Sequence, residues 1–138
     1  MGAWGYGIFE NDDVMDWKAD LLDSEGIEFL QESIHKVLEE EYIESDVASI
    51  ALGAVEILAA LHGKPSNEIN TLFEYTEDLE DWIKQHSGTG IYMKDIAKQA
   101  IKRILEESEL KELWDETEEY HKWESTIKEL EKRIEELN

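Results

Sequence analysis

The chain has 138 residues, of which 35% are charged and 41% hydrophobic, and its formal net charge is -22. This length is sufficient for one domain that buries its own hydrophobic core. The negative charge disfavours binding to nucleic acid and to anionic membranes, because both present phosphate groups, and it favours a basic protein partner.

Cysteine content and the N-terminal residues bear on where the protein resides. The chain has no cysteine, which excludes disulfides and thiolate metal sites. The opening MGAWGYGIFENDD lacks the basic region and apolar run of a secretory signal. The most apolar segment, residues 47–61, would span about 22 Å as a helix, less than the roughly 30 Å of a bilayer core. We therefore expect a cytoplasmic protein without a membrane anchor.

The first ten residues and the helix after them have distinct patterns. Residues 1–10 mix glycines with aromatic and aliphatic side chains, which predicts an irregular arm. Asn11 is a good N-cap, and Asp12 and Asp13 then place negative charge where the dipole of a helix favours it. We predict a helix over residues 12–22.

Two further helices are predicted before the single proline of the chain. Apolar residues at helical spacing predict an amphipathic helix over residues 27–41. Ser45 is placed to cap the third helix, which extends to Gly63 and has an apolar face wide enough to predict the central helix of the fold. Glu56 interrupts that face, and two alternatives stay open for it: a buried carboxylate with a raised pKa, or part of a narrow solvent edge.

The second half of the chain predicts three more helical segments. The first covers residues 66–86, with a break near Thr76, and the next covers residues 93–108 after a glycine-rich loop. The last covers residues 118–137, where apolar residues from Tyr120 onward are three and four positions apart, as in a heptad seam. This seam docks either on the domain itself or on a second copy, which would make a homodimer.

The pattern as a whole predicts an all-α fold, a compact bundle of about six helices in a single domain over residues 1–138. Acidic side chains outnumber basic ones 15 to 2 in residues 1–63, a formal -13, and 20 to 11 in the remainder, a formal -9. The first part of the chain is therefore the more one-sided in charge, and we expect it to face a basic partner.

Few motifs point to chemistry. Two Glu-x-x-His pairs, Glu32 with His35 and Glu118 with His121, match the ligand spacing of di-iron helical bundles. Helical periodicity places both glutamates away from the apolar stripes, so we expect neither pair to bind a metal. No dinucleotide-binding, HExxH or Ser-His-Asp pattern appears, and the sequence favours a protein without a cofactor and without catalytic residues.

The opening MGAWGYGIFENDDVMDW and the run from Ser108 to Trp114 resemble the small bacterial proteins grouped as domain of unknown function 4259. The resemblance covers essentially the whole chain and implies a bacterial source, but the family name carries no activity. If the family shares one site, the resemblance places it at a set of acidic, amide and tryptophan side chains: Trp4, Asn11, Asp12, Asp13, Asp16, Trp17, Glu109 and Trp114.

Two interpretations of these residues stay open. Asp12, Asp13 and Asp16, with Glu109 as a further candidate at a cleft where the arm meets the last helices, could bind Mg²⁺, Ca²⁺ or Mn²⁺ or act in acid-base chemistry. This interpretation requires Asp13 or Asp16 to be buried without a basic partner. Alternatively, Asn11 and its neighbouring acids only start a helix. The function we favour is a non-enzymatic interaction protein, similar to an immunity protein or an inhibitor, with a basic partner. A small metal-binding protein or enzyme is the alternative.

Overall fold

The helices of the computed structural model begin and end close to the predicted positions. The structure describes residues 5–24 and 26–137. Its α-helices are α1 (Asp12–Asp23), α2 (Glu28–Glu39), α3 (Ser45–Leu61), α4 (Asn67–Tyr75), α5 (Glu77–Gln85), α6 (Lys94–Glu106), α7 (Glu109–Asp115) and α8 (Tyr120–Glu135). A single-turn 3-10 helix, Ile91–Met93, precedes α6. Residues 5–10 form turns and bends, in agreement with the predicted irregular arm.

The described residues form eight α-helices and no β-strand, so the all-α prediction is confirmed and the predicted number of about six is too low. One additional helix arises because the predicted break near Thr76 is present and divides the segment 66–86 into α4 and α5. The φ of Thr76 is -139°, an extended value that ends α4 before α5 begins. The other additional helix is α7, a short element that lies between the predicted segments 93–108 and 118–137.

The C-terminal helix is shorter than the predicted 118–137, because α8 begins at Tyr120 and ends at Glu135. The hydroxyl of Thr117 donates to the carbonyl of Trp114 at 2.7 Å and accepts the N–H of Glu119 at 3.2 Å. Such local side-chain bonds compete with helical ones, and here they hold a turn between α7 and α8.

The apolar seam of α8 is buried inside the same chain. Trp123, Ile127, Leu130 and Ile134 are at most 2% exposed, and α8 packs against α3, α6 and α7. Of the two destinations predicted for the seam, the structure shows docking on the domain itself. A homodimer through α8 would have to use the outer, polar face of that helix.

α3 is the central helix, as its apolar pattern predicted. It packs against α1, α2, α5, α6, α7 and α8, and every residue from Ala51 to Leu61 is buried. Gly53 marks the crossing of α1, since a Cβ at this position would lie 2.8 Å from Cγ1 of the buried Val14. Glycine therefore allows α1 to approach α3 closely. In the described part of the chain, no helix combines the length and apolar character needed to span a membrane.

Candidate functional site

Asn11 is the N-cap of α1, as the sequence predicted. Its Oδ1 accepts a hydrogen bond from the N–H of Val14 at 2.9 Å, and its Nδ2 donates to the carbonyl of Ile8 at 3.2 Å. One side chain thus starts α1 and holds the end of the arm against it. This is a structural role, typically worth about 1 kcal/mol to the folded state.

A cavity of about 40 Å³ lies where the arm meets α1, α3, α7 and α8. Asn11, Asp13 and Trp114 contribute to its lining, so the structure brings these three predicted site residues together. Ser45 and Ser49 of α3 also line the cavity, and sequence reasoning did not select them as site residues. Sites for small molecules usually measure about 300–1,000 Å³, whereas about 10–15 Å³ is enough for one water. The cavity therefore has room for water but not for a substrate.

Glu109 of α7 is next to this cavity, and its carboxylate accepts a backbone hydrogen bond at the start of α3. Its Oε1 accepts the N–H of Ser45 at 2.7 Å, and its own N–H donates to the carbonyl of Ile43 at 2.9 Å. The prediction that Ser45 caps α3 is wrong: Glu44 occupies the N-cap position without a side-chain bond, and Ser45 is the first helical residue. The free N–H groups and the dipole at the start of α3 instead attract the Glu109 carboxylate.

Trp17 follows Asp13 by one helical turn and borders a different space. Its indole N–H donates to Oγ of Ser33 at 2.9 Å, and its ring stacks on that of Phe29 with a centroid distance of 5.8 Å. These three residues, with Val47 of α3, line a surface groove of about 250 Å³ between α1, α2 and α3. We call it the α1–α3 groove. Trp4, the remaining predicted tryptophan, lies outside the described residues.

Four exposed aspartates form a group that we call the acidic edge: Asp12, Asp13 and Asp16 of α1, and Asp46 of α3. Partial burial raises the pKa of Asp13, and the charges of Asp46, Asp12 and Asp16 raise it further. Within residues 5–24 and 26–137, none of the four forms an ion pair with lysine or arginine. The ion pairs of lysine and arginine that the structure describes use glutamates from Glu56 onward. The acidic edge is thus a surface of negative charge that these pairs do not neutralise.

The described carboxylates do not gather as metal ligands do. Among residues 5–24 and 26–137, no three His, Asp or Glu side chains lie close enough together to hold an ion. Glu32 is exposed on α2, and Glu118 is exposed in the turn before α8 rather than on a helix. Both glutamates of the Glu-x-x-His pairs therefore face solvent, where a di-iron site would need them inside.

A second group of carboxylates, which sequence reasoning did not identify, lies beside the arm. Oε2 of Glu68 accepts the N–H of Phe9 at 3.1 Å, and Oε1 of Glu10 accepts the N–H of Gly7 at 3.1 Å. A Cβ added to Gly7 would clash with Oε1 of Glu10 and with Oε2 of Glu68, so both carboxylates face one point of the arm. The two side chains also border a groove of about 670 Å³.

Glu68 has the most clearly perturbed pKa of these groups. Burial raises the pKa of Glu68 to about 7, the hydrogen bond from Phe9 opposes the rise, and the charges of Glu56 and Glu10 add to it. The sequence placed Glu68 only in the first turn of a helix, where acids are common. Its burial results from contact with the arm, a segment about 60 positions away along the chain.

Glu56 is buried, with an exposure of 1%, so the alternative of a solvent edge is excluded. Arg133 of α8 binds it with both ends of the guanidinium, Nη2 to Oε1 at 2.7 Å and Nη1 to Oε2 at 3.1 Å. Burial raises the pKa of Glu56, and the guanidinium counteracts part of this rise. Arg133 also binds Glu129 at 2.7 Å and the carbonyl of Lys64 at 2.9 Å. Glu56 therefore belongs to a structural network between α3 and α8.

One comparison with known proteins gives a match. The family model described as Domain of unknown function (DUF4259) matches residues 2–126, a range that includes both the opening motif and the run from Ser108 to Trp114. No curated protein and no solved structure matches the chain.

Proposed function

The chain belongs to the DUF4259 family, and because that family is defined without an activity, we propose its function from the charge and shape of its surface. We propose that the protein is a non-enzymatic interaction module whose acidic edge binds a basic partner protein. Immunity proteins and other inhibitors of cationic proteins work in this way, with complementary charge selecting the partner and accelerating the encounter.

The acidic edge is the observation that supports this proposal. Its four aspartates are exposed on two helices that pack against each other, so their positions are set by the core. Lys or Arg side chains of a partner would relieve the mutual repulsion that, together with partial burial, raises the pKa of Asp13. Charges without a counterion in the folded protein attract an oppositely charged surface over several ångströms.

Composition and the size of the cavity support the same proposal. Residues 1–63, which include the acidic edge, carry 15 acidic and 2 basic side chains. The cavity at the predicted site residues Asn11, Asp13 and Trp114, about 40 Å³, is too small for a substrate, whereas the groove beside Glu10 and Glu68, about 670 Å³, is within the usual range for ligand sites. We also propose that the partner is neither nucleic acid nor a membrane, since their phosphates would be repelled, and that the protein is cytoplasmic, as its lack of cysteine favours.

Affinity capture with a matched pair of variants tests the proposal. The wild-type chain carries a C-terminal tag and is incubated with cell lysate at about 50 mM and about 500 mM salt, since added salt screens exposed charges. The edge variant changes Asp12, Asp13, Asp16 and Asp46 to Asn. The control variant removes the same charge from exposed positions of α4 and α5 by changing Glu74 and Glu77 to Gln and Asp78 and Asp81 to Asn.

We expect mass spectrometry to identify a basic protein that the wild type and the control variant recover at low salt. The edge variant should recover at least about tenfold less of it, and high salt should release it from all three chains. Recovery of no basic protein, or equal loss with both variants, would contradict the proposal.

Binding of Mg²⁺, Ca²⁺ or Mn²⁺ by Asp12, Asp13 and Asp16 is the alternative, and it has less support, because these side chains are exposed and no three acidic or histidine side chains of the described residues gather as metal ligands. Calorimetry with each ion tests it, and binding that is lost in Asp13→Asn would replace our proposal. A homodimer through α8 has less support because the seam of that helix is buried. Sedimentation showing a dimer at high concentration would revive it.

A further inference from the structure

The α1–α3 groove has an apolar floor that lies beside the acidic edge. Phe29, Val47 and Ile50 are partly exposed and border it, and the ring of Trp17 stacks on Phe29 with an interplanar angle of 12°. An aromatic and aliphatic surface of this kind gains free energy when an apolar group covers it. The floor is thus suited to an apolar side chain rather than to a second charge.

The polar groups below this floor are already satisfied within the protein. The indole N–H of Trp17 donates to Oγ of Ser33, and the hydroxyl of Ser33 donates to the carbonyl of Phe29, both at 2.9 Å. An incoming group therefore does not have to replace lost hydrogen bonds, and the rings are held in place before it arrives. Binding to such a preorganised surface loses less conformational entropy.

The volume of the groove decides what size of group fits. About 250 Å³ is near the lower limit of the range of about 300–1,000 Å³ that is usual for sites enclosing a whole small molecule. It is enough for one large aliphatic or aromatic side chain that reaches in from a neighbouring backbone. The groove therefore fits the anchor residue of a peptide segment.

The charged side chains around the groove determine which residues can flank the anchor in a partner. Asp46 borders the groove and also belongs to the acidic edge, so the two features are continuous. On the opposite rim, Glu32 and Lys36 of α2 are one turn apart and largely offset each other. The net negative charge around the groove is consequently on the side of α1 and α3. A second copy of this chain, with its own formal charge of -22, would be repelled.

We propose that the α1–α3 groove receives one apolar side chain of a partner segment whose flanking Lys or Arg residues engage the acidic edge. This inference rests on the proposed function and specifies the chemistry of the partner: a basic segment with a single aliphatic or aromatic anchor. The acidic edge selects the charge, and the groove selects the anchor.

Two labelled peptides of equal charge test the inference by fluorescence anisotropy. The anchor peptide is acetyl-Lys-Lys-Leu-Lys-Lys, and the reference peptide has Ser in place of Leu. Burial of one Leu side chain should make the anchor peptide bind at least about tenfold more tightly. Val47→Glu makes the groove polar and keeps the negative charge of the acidic edge. Val47→Phe fills the groove without changing the charge. In either variant the anchor peptide and the reference peptide should bind with equal affinity.

The outcomes separate the groove from the acidic edge. Equal binding of both peptides by the wild type, with loss of both in the edge variant, would overturn the groove and leave the proposed function intact. Binding of neither peptide, while affinity capture recovers a basic partner, would also overturn the groove alone. Unchanged affinity for both peptides in the edge variant, with the preference for Leu retained, would support the groove and contradict the acidic edge.

Discussion

The carboxylate of Glu56 and the carboxylates of the acidic edge differ in burial and in ion pairing. Glu56 is 1% exposed and both of its oxygens bind Arg133, whereas the four aspartates of the acidic edge are exposed and form no described ion pair with lysine or arginine. A buried charge must be paired because its desolvation is costly, but an exposed charge can remain unpaired at little cost. The paired carboxylate links α3 to α8, and the exposed ones form the surface that we propose binds a partner.

Loss of Arg133 should have the largest effect on stability. Arg133→Met leaves Glu56 buried without its counterion, and we expect the free energy of unfolding to fall by about 3–5 kcal/mol. Urea unfolding at pH 7, followed by circular dichroism, measures the change. The double variant with Glu56→Leu removes both charges and should recover most of the loss.

An exposed pair provides the control for this experiment. Nζ of Lys64 lies 2.9 Å from Oε2 of Glu136, and both side chains are partly exposed. Lys64→Met should lower the free energy of unfolding by no more than about 1 kcal/mol. A loss as large as that of Arg133→Met would show that burial does not distinguish the two pairs.

Glu68 should produce a pH dependence of stability. Its pKa in the folded protein is about 7, above the ordinary 4.5, so between these values the folded chain holds a proton that the unfolded chain has lost. The stabilisation of the folded state by this proton is complete below pH 4.5 and is lost as the pH rises to about 7. Because Glu68 is partly exposed, we expect a loss of about 1–2 kcal/mol.

The variant Glu68→Gln isolates this contribution, since Gln keeps an acceptor for the N–H of Phe9 and does not titrate. The difference in unfolding free energy between Glu68→Gln and the wild type, measured by urea unfolding from pH 5 to pH 8, should grow in favour of the variant as the pH rises. Glu74→Gln, an exposed change on the same helix, should follow the wild type. Identical pH profiles for all three proteins would contradict the burial of the Glu68 carboxylate.

Asn11 should have an intermediate effect because it acts as a helix cap. Asn11→Ala removes the acceptor for the N–H of Val14 and the donor to Ile8, and we expect a loss of about 1 kcal/mol. Asn11→Ser keeps a capping oxygen and should recover much of this loss in thermal unfolding. If Asn11→Ala were as stable as the wild type, Asn11 would have to be explained by binding instead.

Asp13 should have the smallest effect on stability. Asp13→Asn removes a charge whose pKa is raised by burial and by its acidic neighbours, so we expect a gain of at most a few tenths of a kcal/mol. Capture of the basic partner should fall in the same variant. A clear loss of stability, with capture unchanged, would show that Asp13 serves the fold rather than the acidic edge.

The sequence alone determined most of the helices and the centre of the fold. Periodic apolar residues located α1, α2, α3 and α6 to within a few residues, and the wide apolar face of α3 identified it as the central helix. These features are local, because spacing of 3.6 residues per turn and a capping residue such as Asn11 act within a few positions of the chain. Breaks set by single side chains, as at Thr117, were not apparent from periodicity.

Only the tertiary structure decided the roles of individual polar residues. The first turns of α1, α3 and α4 all carry acids, yet Asp13 and Asp46 are exposed while Glu68 lies against the arm. Glu109 caps α3 across more than 60 positions of sequence, a pairing that no local pattern indicates. Whether a carboxylate is buried, paired or free depends on which distant segment packs on it, and that segment sets both its desolvation and its counterion.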